Sequence, residues 1–373
     1  MENIVKFVDY LMDTSTPVAS AWNIEQTLER KKPAWNYIDG CMIKAILDLY
    51  YATNDQKYFD FARNYIDFYI SYTGDILGYQ KEEYNCDNIN MGKVLFDLFK
   101  ETNEGKYTKA IELLYSQILS QPRINIGNFW HKKIYPNQVW LDGLYMVQPF
   151  YMEYEVMFNK EKNCDDVLTQ FKNVYEIMKD QKTGLLYHGY DESREVFWAD
   201  KETGLSKNFW TRSIGWYSMA LVDTMEKKYC NILQQYLKDV VDALLEVADK
   251  TTKMFYQVTD AGTCMGNYLE TSGTCAIAYS LMKGTRLGYL PSNYFDYGKE
   301  IFESVVKNKL VFTREQFILK DICLVAGLGG MPGKGTYQPR DGSYEYYISE
   351  PKVNNDAKGV APFLFAYSEA IRG

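Results

Sequence analysis

Apolar residues recur at helical spacing along almost the whole chain, and the alternation of a half-buried strand is scarce. The pattern predicts helices in consecutive pairs: 35–54 with 57–71, 87–102 with 106–120, 140–158 with 165–179, 209–226 with 229–249, and 267–287 with 292–308. The turns inside each pair are short, which implies antiparallel neighbours. Longer segments rich in Gly, Pro and Tyr separate the pairs, at 71–86, 121–139, 181–208 and 309–356. A last helix over 360–372 has no partner after it, and a first over 2–12 has none before it. If these two pair with each other, six hairpins close into a ring. The expected fold is all-α, an (α/α)6 barrel forming a single domain over residues 1–373. No Pro- or Ser-rich linker marks a division into two helical domains.

The first helix of each pair, taken as barrel lining, begins with residues that a hydrophobic core would not choose. They are Trp35-Asn-Tyr-Ile-Asp39, Asn85-Cys-Asp87, Gln138-Val-Trp-Leu-Asp142, Asn208-Phe-Trp-Thr-Arg212 and Glu270-Thr-Ser272. All fall at helix N-termini, so they share one rim, where free N–H groups and positive dipole ends favour an anion. Asp87 also fits a plain N-cap. Asp142 fits one less well, because Trp140 and Leu141 before it and Leu144, Tyr145 and Met146 after it point to burial, which is costly for an unpartnered carboxylate.

Composition narrows the chemistry. Among 373 residues are two histidines, His131 and His188, against 49 Asp and Glu, 33 Tyr, 19 Phe and 7 Trp. Two histidines rule out a multi-histidine metal enzyme and count against a histidine-dependent epimerase. Carboxylates among aromatic rings suit sugars, whose apolar faces lie on rings while an acid delivers a proton. A net charge of −8 with no concentrated basic stretch argues against a nucleic-acid partner. No run approaches the roughly 20 apolar residues of a membrane span. Seven cysteines without a C-x-x-C pair or metal spacing, and an N-terminal helix without a signal-peptide core, predict reduced thiols and a cytoplasmic location.

Five segments, in order along the chain, then carry a family likeness. Gln138-Val-Trp-Leu-Asp-Gly-Leu-Tyr-Met, Leu186-Tyr-His-Gly-Tyr-Asp-Glu-Ser, Phe209-Trp-Thr-Arg-Ser-Ile-Gly-Trp-Tyr, Asn267-Tyr-Leu-Glu-Thr-Ser-Gly-Thr and Arg340-Asp-Gly-Ser-Tyr-Glu-Tyr-Tyr-Ile-Ser-Glu-Pro resemble glycoside hydrolase family 105, the unsaturated rhamnogalacturonyl hydrolases. The resemblance implies the (α/α)6 barrel and an unusual hydrolysis. The substrate would be a small lyase-generated oligosaccharide with a 4,5-unsaturated galacturonyl residue at its non-reducing end. Asp142 would protonate C4 of the vinyl ether, water would add at C5, and the hemiketal would open to a keto-uronate that releases the remaining sugar. Asp87 joins Asp142 as the second catalytic carboxylate. Tyr37, His131, His188, Trp210, Arg212 and Trp216 are the expected substrate-binding residues, with Arg212 a candidate fork for the uronate carboxylate. No metal or cofactor is implied. Protonating carbon calls for an acid well above the ordinary carboxylate range, and burial beside Trp140 with Asp87 and the substrate charge nearby is expected to raise Asp142. The nearest alternative is an unsaturated glucuronyl hydrolase acting on glycosaminoglycan or ulvan fragments.

Overall fold

The computed structural model describes residues 2–313, 317–329 and 339–373. Fourteen α-helices are found among them: α1 Glu2–Asp13, α2 Ile24–Glu29, α3 Tyr37–Thr53, α4 Gln56–Asp67, α5 Lys93–Thr102, α6 Gly105–Ser120, α7 Leu141–Phe158, α8 Cys164–Met178, α9 Thr211–Lys227, α10 Asn231–Val247, α11 Thr271–Arg286, α12 Asn293–Lys309, α13 Tyr344–Ser349 and α14 Ala357–Arg372. Six inner elements form a ring. They are α3, the 3-10 segment Cys86–Gly92 with α5, then α7, α9, α11 and α14, each packed on the next, with α14 closing on α3. Helices α4, α6, α8, α10 and α12 lie outside their inner partners. Helix α1 completes the outer layer: Lys57 of α4 reaches its Asp9, and its Ile4 borders a groove with α12 and α14. This is the (α/α)6 barrel.

Inner and outer helices differ as their positions require. In α10 the buried set is Leu233, Tyr236, Leu237, Val240, Val241 and Leu244, one stripe at helical spacing. In α11 every residue from Thr271 to Gly284 is buried, so its hydroxyls must be satisfied locally; Ser280 Oγ donates to Ala276 O at 2.8 Å. Small residues let inner helices approach closely. A Cβ on Gly215 of α9 would stand 2.8 Å from Ala276 Cβ of α11, and one on Gly40 of α3 would stand 2.7 Å from Met91.

Three departures from the sequence-based helices matter for the site. The helix expected over 87–102 opens as a 3-10 turn, because Asn85, Asn88 and Asn90 turn their side chains to Asp87 N, Glu83 and Tyr37 O. Residues 209–210 and 267–269 are extended before their helices begin, held by bridges Trp210–Val258 and Tyr256–Leu269. Short antiparallel strand pairs brace the loops: β1 Gln138–Trp140 with β2 Gly189–Asp191, β3 Leu310–Phe312 with β4 Phe317–Leu319, and β5 Ile322–Cys323 with β6 Lys352–Val353. Parts of the loop expected over 309–356, residues 314–316 and 330–338, lie outside the described residues. Among the described residues no helix is long and apolar enough to cross a membrane.

Candidate active site

At the N-terminal ends of the inner helices a cavity of about 200 Å³ opens. All eight residues singled out from the sequence border it: Tyr37, Asp87, His131, Asp142, His188, Trp210, Arg212 and Trp216. Local structure explains the convergence. Strand β1 runs directly into α7, so Trp140 is the residue before the helix and Asp142 sits in its first turn. Strand β2 pairs with β1 at Trp140–Gly189, and Leu141 N donates to His188 O at 3.1 Å. That pairing fixes His188 against the start of α7.

Each of the chain's two histidines holds one of the two carboxylates. His188 Nε2 lies 3.2 Å from Asp142 Oδ2, and its Nδ1 is 2.8 Å from the Tyr347 hydroxyl. His131 Nε2 lies 3.5 Å from Asp87 Oδ1, while Lys132 Nζ is 2.6 Å from Asp87 Oδ2. Trp140 stands between them, with the His131 ring stacked on it at 4.4 Å and the His188 ring edge-on at 5.7 Å. Tyr135 also stacks on Trp140, and Trp216 stacks on Tyr145 at 4.7 Å. His188 is fully buried, not the solvated loop residue that its Gly- and Tyr-rich surroundings would also allow. Asp87 is not an N-cap either; Asn85 fills that position.

The electrostatics correct one expectation. Burial does raise the Asp142 carboxyl, but contact with the His188 ring and the nearby Arg212 charge outweigh it, leaving Asp142 below the ordinary Asp range. Without ligand, therefore, Asp142 is ionised at neutral pH. Burial pushes the His131 imidazole down to about 4, so that ring is neutral at neutral pH.

Arg212 also differs from its expected geometry. Its Nη1 donates to Cys323 O at 2.5 Å and its Nη2 to Leu324 O at 3.3 Å, with the guanidinium over the Trp210 ring at 4.8 Å. The face of the fork expected to meet a carboxylate already meets carbonyls. Glu270 and Asp39, named with the rim, do not border the cavity. Glu270 caps α11 and accepts from Cys323 N, whereas Asp39 accepts from Trp22, Asn23 and Asn36.

Further cavity residues were not among the site residues expected from the sequence: Glu25, Lys132, Tyr135, Met146, Val325, Gly327, Arg340 and Lys358. The Arg340 motif and the cationic pair after His131 carried a signal for two of them. Glu25 of the short α2 gave none, and it reaches the cavity by pairing with Lys358 at 2.7 Å. A second cavity of about 240 Å³, between α2 and the 85–88 turn, shares Glu25, Tyr37, Asp87 and Lys132 with the first.

The chain matches the Glycosyl Hydrolase Family 88 profile over residues 3–373. A solved glycoside hydrolase from family 105 of C. acetobutylicum ATCC 824 is 47% identical, covering 90% of this chain and 93% of that one, with a TM-score of 0.86. Protein Atu3128 of Agrobacterium fabrum is 35% identical over 231 residues, 60% of this chain and 97% of its own. The unsaturated rhamnogalacturonyl hydrolase YesR of Bacillus subtilis is 23% identical over 266 residues, 68% of this chain and 72% of its own.

Proposed function

The chain belongs to glycosyl hydrolase family 88 and is a glycoside hydrolase, and on that premise we propose that it removes a 4,5-unsaturated galacturonyl residue from the non-reducing end of rhamnogalacturonan oligosaccharides. Residues 1–373 are taken as one catalytic unit. The observation that carries the reading is the pairing of each histidine with one carboxylate on either side of Trp140. A sugar ring over aromatic walls, faced by two held carboxylates, has what protonation of a vinyl ether needs.

Asp142 gives its proton to C4, and positive charge develops at C5 and the ring oxygen. Asp87, paired with Lys132, stabilises that charge and orients ring hydroxyls. Water adds at C5 and loses its proton to the Asp142 carboxylate, which restores the acid. The resulting hemiketal opens, and the former anomeric carbon releases the remaining sugar. No displacement occurs at the anomeric centre, so carboxylate spacing does not set a stereochemical outcome. Tyr37 stands at the junction of the two cavities, which supports a path for the leaving sugars into the second.

Loss of the ultraviolet absorbance of the unsaturated uronate tests this reading. The wild-type protein should consume the galacturonyl-rhamnose disaccharide faster than glycosaminoglycan-derived ones. Asp142→Asn, nearly isosteric, should keep its thermal unfolding temperature and lose on the order of 10³-fold in kcat. Wild-type-like turnover by Asp142→Asn removes the assignment of the acid, and a preference for the glucuronyl disaccharides would replace the proposed substrate.

A further inference from the structure

Two arginines border the cavity, and they stand in opposite states. Arg212 is almost wholly buried and donates to the carbonyls of Cys323 and Leu324. Among the described residues Arg340 has one ion-pair partner, Glu350, with Nε 3.5 Å from Glu350 Oε1 and no hydrogen bond at Nε. Arg340 Nε and both Glu350 carboxylate oxygens are buried without hydrogen-bond partners. The other cavity cations are engaged at short range: Lys132 meets Asp87 at 2.6 Å, and Lys358 meets Glu25 at 2.7 Å.

Arg340 also points the right way. Its Nη1 is 3.7 Å from where a Cβ on Gly327 would lie, and that same point is 3.6 Å from the Trp140 ring. The guanidinium therefore reaches across a residue without a side chain toward the ring that carries both histidine–carboxylate pairs. Glu350 approaches from the Nε side, whereas Nη1 lies toward Gly327 and Trp140. Burial raises the Glu350 carboxyl, against the opposing pull of Arg340 and of the Tyr346 hydroxyl.

We propose that Arg340, and not Arg212, takes the carboxylate of the unsaturated uronate, and that Glu350 is the positioning residue that holds it for that task. A largely enclosed guanidinium beside a sugar platform, with its Nε lacking a hydrogen-bond partner, suits a carboxylate, and a planar fork meets two oxygens as an ammonium does not. Arg212 then serves the site indirectly, by tying the 323–324 segment to the start of α9. The inference rests on the uronyl hydrolase reading above.

Turnover of the unsaturated disaccharide is compared with turnover of its methyl ester, which keeps the vinyl ether and loses the charge. Wild type should favour the acid. Arg340→Gln should cut kcat/KM on the acid by roughly tenfold to a hundredfold and erase the preference over the ester, as expected for one charge-assisted contact. Arg340→Lys should recover part of it, and Glu350→Gln should raise KM with kcat nearly held. Calorimetric binding of saturated galacturonate reads the same contact without chemistry, so failure of the hydrolysis reading alone is told apart. Arg340→Gln that binds galacturonate like wild type, or keeps the acid-over-ester ratio, overturns the proposal.

Discussion

Asp142 is the acid of the proposed reaction, yet its surroundings in the protein hold it ionised, through His188 at 3.2 Å and against the push of burial. A substrate carboxylate and a dry sugar ring both act the other way, adding negative charge and removing water from a group already mostly enclosed. Binding should therefore raise the Asp142 pKa. A group whose pKa rises on binding holds more proton in the complex, so binding takes up protons and weakens as pH rises above the free-state value. Calorimetry of saturated galacturonate in two buffers of different ionisation enthalpy should read uptake of up to one proton near neutral pH. Asp142→Asn should abolish that uptake. Binding without proton uptake in wild type would mean that the ligand does not charge the acid. His131, neutral above about 4, is another cavity group able to accept a proton, and the Asp142→Asn comparison separates it from Asp142.

The site depends on how the starts of neighbouring elements are pinned. Gly273 in the first turn of α11 faces the start of α9, where a Cβ would stand 2.6 Å from Thr211 Cγ2 and 2.8 Å from Arg212 N. Backbone atoms cannot yield as a side chain tip can. Gly273→Ala should therefore lower stability by about 1–3 kcal/mol and lower kcat/KM as well, because the residues it displaces hold Trp210 and Arg212. Denaturant melts with kinetics check this; a variant with native stability and activity would show that the α9–α11 contact is slack. Most inner and outer helices were legible in the sequence because their apolar stripes are long and periodic, and the rim was legible because polar residues interrupt those stripes at Asp142 and Arg212. The 3-10 turn at Cys86–Gly92 was not, since its Asn side chains act through contacts distant in sequence, such as Asn90 with Tyr37 O. Helix α2 was too short for periodicity to register. Arg212 was legible as a site residue but not in its partners, because Cys323 and Leu324 lie 111 and 112 positions away.

Across the whole molecule, the barrel's two ends are specialised. At the end away from the site, ion pairs run around all six inner elements: Lys44 to Asp97, Lys100 to Glu153, Glu153 to Lys227, Glu226 to Lys283, and Arg286 to Glu369, while Arg372 returns to the Asp48 carbonyl. Several of these cations sit in last turns, where the helix dipole favours them. The closed ring of charge holds the C-terminal ends together, and the opposite ends are left to converge on one cavity bordered by Glu25, Asp87 and Asp142. In the proposed reaction this cavity must protonate carbon. Reaction in D2O, followed by mass spectrometry of the released keto-uronate, tests that requirement most directly, with a saturated galacturonyl substrate run alongside. Deuterium at C4, solvent oxygen at C5 and no turnover of the saturated substrate are the predicted result; an unlabelled C4, or cleavage of the saturated substrate at a comparable rate, would contradict it.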